Sequence, residues 1–237
     1  MTTDTTTPAS SGRSTARTVP GWAIPPFYWL MTRVMRLVVW TFGRYRVAGT
    51  ERVPLSGGLL VVSNHLNNAD PPLLGAALPR RLRFMAKQEL FAHRVFGVFP
   101  VLFGAFRVRR FEADLRALRE AGHLLAAGEA VAMFPEGHRS KGGGLQQPYP
   151  GTALIALRSN ATILPVGITG TEAVRTPAVL LKKPRITVTI GEPFTLPAHN
   201  RVTSEAVKAG SDEIMRRIAA LLPPSYRGVY AGDGSQG

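Results

Sequence analysis

The sequence predicts an α/β domain, a mixed central sheet flanked by helices, with an amphipathic membrane-associated helix in front of it. Three observations carry that reading. Short apolar and β-branched runs alternate with helical repeats along most of the 237 residues, the pattern of a sheet layered with helices. The hydrophobic fraction, 45%, supplies the buried core that such layers need. An almost continuous apolar stretch, set off by Pro25-Pro26, precedes the first strand.

Residues 1–20 are rich in Thr and Ser and have no apolar core of a secretory signal; they are expected to form a disordered tail. Residues 21–43 form the leading helix. Its core, FYWLMTRVMRLVVWTF (Phe27 to Phe42), would be roughly 24 Å long, short of the roughly 30 Å hydrocarbon layer of a bilayer. On a helical wheel Arg33, Arg36 and Arg44 gather with Trp29 and Trp40, and Phe27, Met31, Val34, Met35, Val38 and Phe42 lie opposite. Arg and Trp favour the headgroup layer. The expected placement is therefore in the membrane interface; the alternatives are a helix packed on its own domain and one that spans.

The main domain is expected over residues 44–222. RYRVAGTERVP reads as a strand and turn, and GGLLVVSNH as a buried strand bounded by glycines. LRFMAK and GAFRVRR are short strands. FEADLRALREAGHLLAAGE carries Leu115, Leu118, Leu124 and Leu125 at helical spacing and stops near Gly128. AVAMFPEG is a strand broken at Pro135, GTALIALRSN a helix, TILPVGITG and RITVTIGEPF strands, and SEAVKAGSDEIMRRIAALL a closing helix. Residues 223–237 are expected to be a frayed tail.

Lys and Arg outnumber Asp and Glu by 29 to 15, a net charge of +14. That excess favours an anionic partner: nucleic acid, an anionic membrane surface or a phosphorylated substrate. The absence of cysteine excludes disulfides, thiolate metal sites and a cysteine nucleophile.

The chemistry-bearing residues lie in two clusters, each after a strand, where loops commonly carry function. The first is SNHLNNADPPLL, with His65 five residues before Asp70. Asp70 stands before Pro71-Pro72, so it could simply cap a helix. It could equally accept a hydrogen bond from one imidazole nitrogen of His65, leaving the other to take a proton from a hydroxyl. Asn67-Asn68 tolerate the turn this needs. No Gly-x-Ser-x-Gly elbow is present, so His65 more naturally activates a hydroxyl on a substrate. His93, His123, His138 and His199 form no His-Glu-x-x-His pair, and no metal is expected.

The second cluster is FPEGHRSKGGG, Phe134 to Gly144. Pro135 and Gly137 turn the chain, and Arg139 and Lys141 stand among glycines that permit close backbone approach. A phosphate suits this loop, although the P-loop pattern is absent. Upstream, Arg107, Arg109 and Arg110 form a basic strand, which could face a ligand or simply be a solvated edge. Glu136, an acid beside an anion site, must serve some other purpose. It could hold Arg139 or Arg110 in place, or accept a hydrogen bond from a substrate hydroxyl.

Together these motifs resemble the glycerolipid acyltransferase family, the 1-acyl-sn-glycerol-3-phosphate acyltransferases. NHLNNAD (Asn64 to Asp70) is similar to its Asn-His-x4-acid motif. GAFRVRR, with Gly104 and Arg110, is similar to its second motif. FPEGHRS matches Phe-Pro-Glu-Gly-Thr-Arg-Ser at six of seven positions, and ILPVGITG, with Pro165, is similar to the fourth. The order agrees, over roughly residues 44 to 195.

The resemblance implies direct transfer. His65, oriented by Asp70, deprotonates a hydroxyl that attacks an acyl thioester on CoA or acyl carrier protein, and no other cofactor takes part. Arg110, Glu136, Gly137 and Arg139 would form the acceptor-phosphate site, with Asn64, Gly104, Phe134, Pro135 and His138 completing the substrate-binding set. The implied acceptor is a membrane lipid, 1-acylglycerol 3-phosphate giving phosphatidic acid. The implied location is peripheral or monotopic, on an anionic membrane surface at the cytoplasmic face of the cell membrane, with no nucleic acid. His138 departs from the family's threonine. Another lysolipid or a glycolipid acceptor, or a non-catalytic basic protein that binds membrane or nucleic acid, are the rival readings.

Overall fold

The computed structural model describes residues 24–42, 44–87, 105–108, 115–140, 142–174, 182–198 and 201–232. Its elements in chain order are α1 (Ile24–Phe42), β1 (Arg44–Ala48), β2 (Leu59–Ser63), α2 (Asp70–Ala77), β3 (Leu82–Lys87), β4 (Phe106–Val108), α3 (Leu115–Ala126), β5 (Ala130–Met133), α4 (Gly151–Ser159), β6 (Thr162–Thr169), β7 (Arg185–Ile190) and α5 (Ser204–Ala220).

Among the described residues seven strands form one sheet in the order β1-β7-β6-β2-β5-β3-β4. Every neighbouring pair is parallel except β6 and β7, so the sheet is mixed as the sequence predicts. The glycine-bounded apolar run becomes β2, buried at every position between β5 and β6. A strand covered on both faces needs that composition. β7, one strand in from the edge, instead alternates, with Ile186, Val188 and Ile190 buried.

Alternate residues of one strand enter two different cores. Leu60 and Val62 of β2 join Val131, Met133 and Ile163 beneath α3, α4 and α5, where Ala121, Ile155 and Ile214 meet them. Leu59 and Val61 point the other way, to Ala130, Ala132, Leu164 and Val166, covered by Leu74 of α2 and Tyr28 of α1.

α1 corrects the expected wheel. Its buried stripe is Tyr28, Thr32 and Val39; of the expected apolar face, Phe27, Met31, Met35 and Val38 are only partly buried and Val34 is exposed, and the Phe42 side chain lies outside the described residues. Gly75 of α2 provides the notch: a Cβ there would stand 2.9 Å from the Tyr28 hydroxyl. That hydroxyl accepts from Leu82 N at 3.1 Å. Arg36, expected among headgroups, donates to the Ala76 carbonyl at the end of α2. The helix is thus packed on its domain, yet Leu30, Val34, Leu37 and Trp40 remain exposed on its outer side. No described helix is long and apolar enough to cross a membrane.

The expected frayed end at 223–237 is also corrected, over its described part. Short 3-10 turns at Pro224–Tyr226 and Gly228–Tyr230 dock on the domain. Leu145 N donates to the Tyr226 carbonyl at 2.9 Å, Tyr226 donates to Glu172 Oε1 at 2.6 Å, and Tyr230 is buried against the core. The 1–20 tail lies outside the described residues.

Candidate active site

β2 and β5 run parallel as neighbours, so their carboxyl ends open at the same edge of the sheet. In α/β sheets that edge, where the strand order reverses direction, is where ligands bind. β2 lies there with β5 on one side and β6 on the other, and each of the two sequence clusters follows one of the first two strands.

The β2 loop begins with Asn64, which is buried and paired to β6. Its side-chain amide donates to the Ile168 carbonyl and its side-chain oxygen accepts from Ile168 N, both at 2.8 Å. Asn64 is therefore a clamp between strands, with each polar end of its side chain bonded to backbone. His65 comes next. Its Nδ1 lies 2.9 Å from Asp70 Oδ2. That same oxygen accepts from Leu66 N at 2.6 Å and Asn67 N at 2.7 Å. Asp70 is fully buried and starts α2, but makes no side-chain cap bond to the helix ahead of it. It reaches back and gathers the loop instead. Three donors on one oxygen fix the carboxylate, and among the described residues Nε2 of this side chain, which is 16% exposed, has no hydrogen-bond partner.

Phe134, after β5, stacks on the His65 ring at 4.2 Å between centroids, 20° from parallel. The chain then turns at Pro135-Glu136. Gly137 takes φ 66°, the left-handed region that favours glycine, and a Cβ there would stand 2.7 Å from the Tyr149 ring. Tyr149 N donates to the Pro135 carbonyl at 2.9 Å, and His138 meets the Tyr149 ring edge-on at 6.2 Å. Arg139 is exposed, with no hydrogen bond or ion pair among the described residues.

Glu136 is fully buried. Its Oε1 accepts from His65 N at 3.0 Å and its Oε2 from Gln146 N at 3.1 Å. Burial pushes its carboxyl up to about 7, the two backbone N–H bonds pull it back, and Asp70 adds to the rise. In place of the expected contact to Arg139, Glu136 holds these two backbone donors.

The structure thus brings His65, Asp70, Phe134, Glu136 and the Gly137–Arg139 loop to one edge, and turns Asn64 and Glu136 inward. Gly104, Arg110 and Lys141 lie outside the described residues. Sequence reasoning missed Gln146 and Tyr149. Gln146 acts through its backbone N–H, for which residue type carries no signal; Tyr149 is an aromatic shortly after a glycine run, a signal too weak to single out. A cavity of about 660 Å³ opens elsewhere, between α3 and α4 and beside Gly57-Gly58, and holds none of these residues.

A buried carboxylate against a histidine at the carboxyl edge of the sheet is an arrangement able to orient an imidazole for proton transfer. The family model described as Acyltransferase matches residues 44–169, more than half of the chain, and the chain belongs to that family. Its curated relatives include a 1-acyl-sn-glycerol-3-phosphate acyltransferase of Streptococcus pneumoniae, 26% identical over 199 residues, 82% of this chain and 73% of the relative. One of the same name from Bacillus subtilis is 27% identical over 199 residues, 82% of this chain and 96% of the relative. The crystal structure of the 1-acyl-sn-glycerophosphate acyltransferase of Thermotoga maritima superposes with a TM-score of 0.64 at 24% identity, covering 82% of this chain and 78% of that one; it shares the fold.

Proposed function

We propose that the protein acylates a lysophospholipid, 1-acylglycerol 3-phosphate in particular, to give phosphatidic acid. The observation that carries this reading is the 2.9 Å contact between His65 Nδ1 and Asp70 Oδ2, on a histidine whose second nitrogen has no partner among the described residues. Nε2 takes the proton from the acceptor hydroxyl as its oxygen attacks the thioester carbonyl. The C–O bond forms, the C–S bond breaks, and the imidazolium returns the proton to the departing thiolate. Asp70 holds the tautomer and stabilises the imidazolium. The donor is acyl-CoA or an acyl carrier protein thioester. Arg139, exposed and without a partner among the described residues, is the cation for the acceptor phosphate.

The names of the Streptococcus and Bacillus relatives favour the same acceptor. His138, in place of the family's threonine, favours testing other lysolipids beside it. The outward face of α1, with Leu30, Val34, Leu37 and Trp40 exposed, suits contact with the lipid surface that holds such an acceptor.

The deciding experiment follows thiol release from acyl-CoA, and separately from acyl carrier protein. The acceptors are glycerol 3-phosphate, lysophosphatidate, lysophosphatidylglycerol and a mannosylated lipid, with His65→Ala as control. Release that requires lysophosphatidate and His65 is the expected result. Release with a different acceptor replaces the substrate and keeps the reaction; release that persists in His65→Ala overturns the mechanism.

A further inference from the structure

Both polar groups of the His65 peptide are held by the loop after β5. Its N–H donates to Glu136 Oε1 at 3.0 Å and its carbonyl accepts from Ser140 N at 2.8 Å. The other oxygen of Glu136 accepts from Gln146 N at 3.1 Å. One carboxylate therefore joins the end of β2, the β5 loop and the segment returning to α4. It is fully buried and has no cation in contact among the described residues. A group that binds an incoming phosphate needs the opposite: positive charge and access. A bare carboxylate would repel the anion.

We infer that Glu136 is a positioning residue, fixing the His65 peptide and with it the reach of the imidazole, and is not a ligand of the acceptor phosphate. This rests on His65 being the base proposed above. Two N–H groups need two acceptor oxygens, and only the ionised carboxylate offers both without a proton in the way. Protonation turns one oxygen into a hydroxyl, whose proton must point away from the N–H it faces, and the staple loosens. Among the described residues, the charged group that acts on it is Asp70, and His65 bonds it through its backbone N–H. Burial raises the Glu136 carboxyl to about 7 although both N–H bonds pull it down, so the ionised staple is held at a cost that its two donors only partly offset.

The test uses the full chain and Glu136→Gln, which keeps one acceptor and sets an amide NH2 against the second N–H. The expected result, with whichever acceptor turns over, is a kcat lower by about 10- to 100-fold, the loss that misplacing a reacting group brings. The acceptor KM stays within about twofold, because uniform binding is untouched. Amide exchange over residues 63–70 speeds up about tenfold in the variant. A raised acceptor KM with kcat preserved makes Glu136 a ligand and overturns the inference; so does exchange that stays unchanged. Should that variant fail to fold, Glu136→Asp, which keeps the charge and shortens the reach, replaces it: a lower kcat at an unchanged acceptor KM is expected, and a raised KM with kcat preserved overturns the inference. Exchange needs no acceptor, so a wrong acceptor in the proposed function leaves this outcome readable.

Discussion

The loop that leaves β2 and the loop that leaves β5 emerge side by side, and they treat their polar side chains differently. In the β2 loop Asn64, His65, Asn67 and Asp70 all have partners: Ile168, Asp70, the Val174 carbonyl with Ala69 N, and three donors respectively. In the β5 loop Glu136 is held from both sides, but His138 only touches an aromatic edge and Arg139 is exposed. Proton transfer depends on geometry within fractions of an ångström, so its groups are locked by neighbours. Recognition of a charged headgroup depends on an accessible cation, so its group stands free. The contrast matches the proposed division, with chemistry at the first loop and binding at the tip of the second.

The strongest way to break that division is at the histidine. His65→Ala and Asp70→Asn should each lower kcat by about 10³-fold or more, with the circular dichroism spectrum kept. Retained activity in either variant would mean the locked loop is scaffold only. A middle-sized effect sharpens the division: Arg139→Ala should raise the acceptor KM about tenfold and leave the donor KM and kcat close to wild type. A fall in kcat instead would place the second loop in the chemistry. The smallest effect concerns the outer face of α1. Leu37→Ser with Trp40→Ser should weaken sedimentation with anionic vesicles on the order of tenfold, while turnover of detergent-dispersed acceptor is unchanged. Equal sedimentation would move lipid contact to another surface.

The strands were legible because composition and burial agree. GGLLVVSNH and TILPVGITG have the unbroken apolar runs of central strands, and both are buried there. His65 and Asp70 were legible because a short, turn-tolerant spacing brings two complementary groups together. Asn64 and Glu136 were not, because their partners are backbone groups. Ile168 is 104 residues from Asn64, and a peptide N–H or carbonyl looks the same in every residue. The packed face of α1 was hidden for a related reason. A wheel ranks side chains by polarity, and the domain chose Tyr28 and Thr32, both carrying hydroxyls, because Gly75 leaves room for them and Leu82 N supplies a donor to Tyr28. The docked C-terminal segment was hidden because its anchors, Leu145 and Glu172, are distant in sequence.

α2 is only eight residues long, about 12 Å at the helical rise. Its first residue is Asp70, held to His65; its far end is the Ala76 carbonyl, held by Arg36 of α1; and Gly75 between them bears on Tyr28 of the same helix. α1 is thus not a tether that swings while the domain stays still. It and the Asp70 carboxylate bear on the two ends of one short helix, so the route from the leading helix to the proposed proton-transfer centre is eight residues of packed backbone.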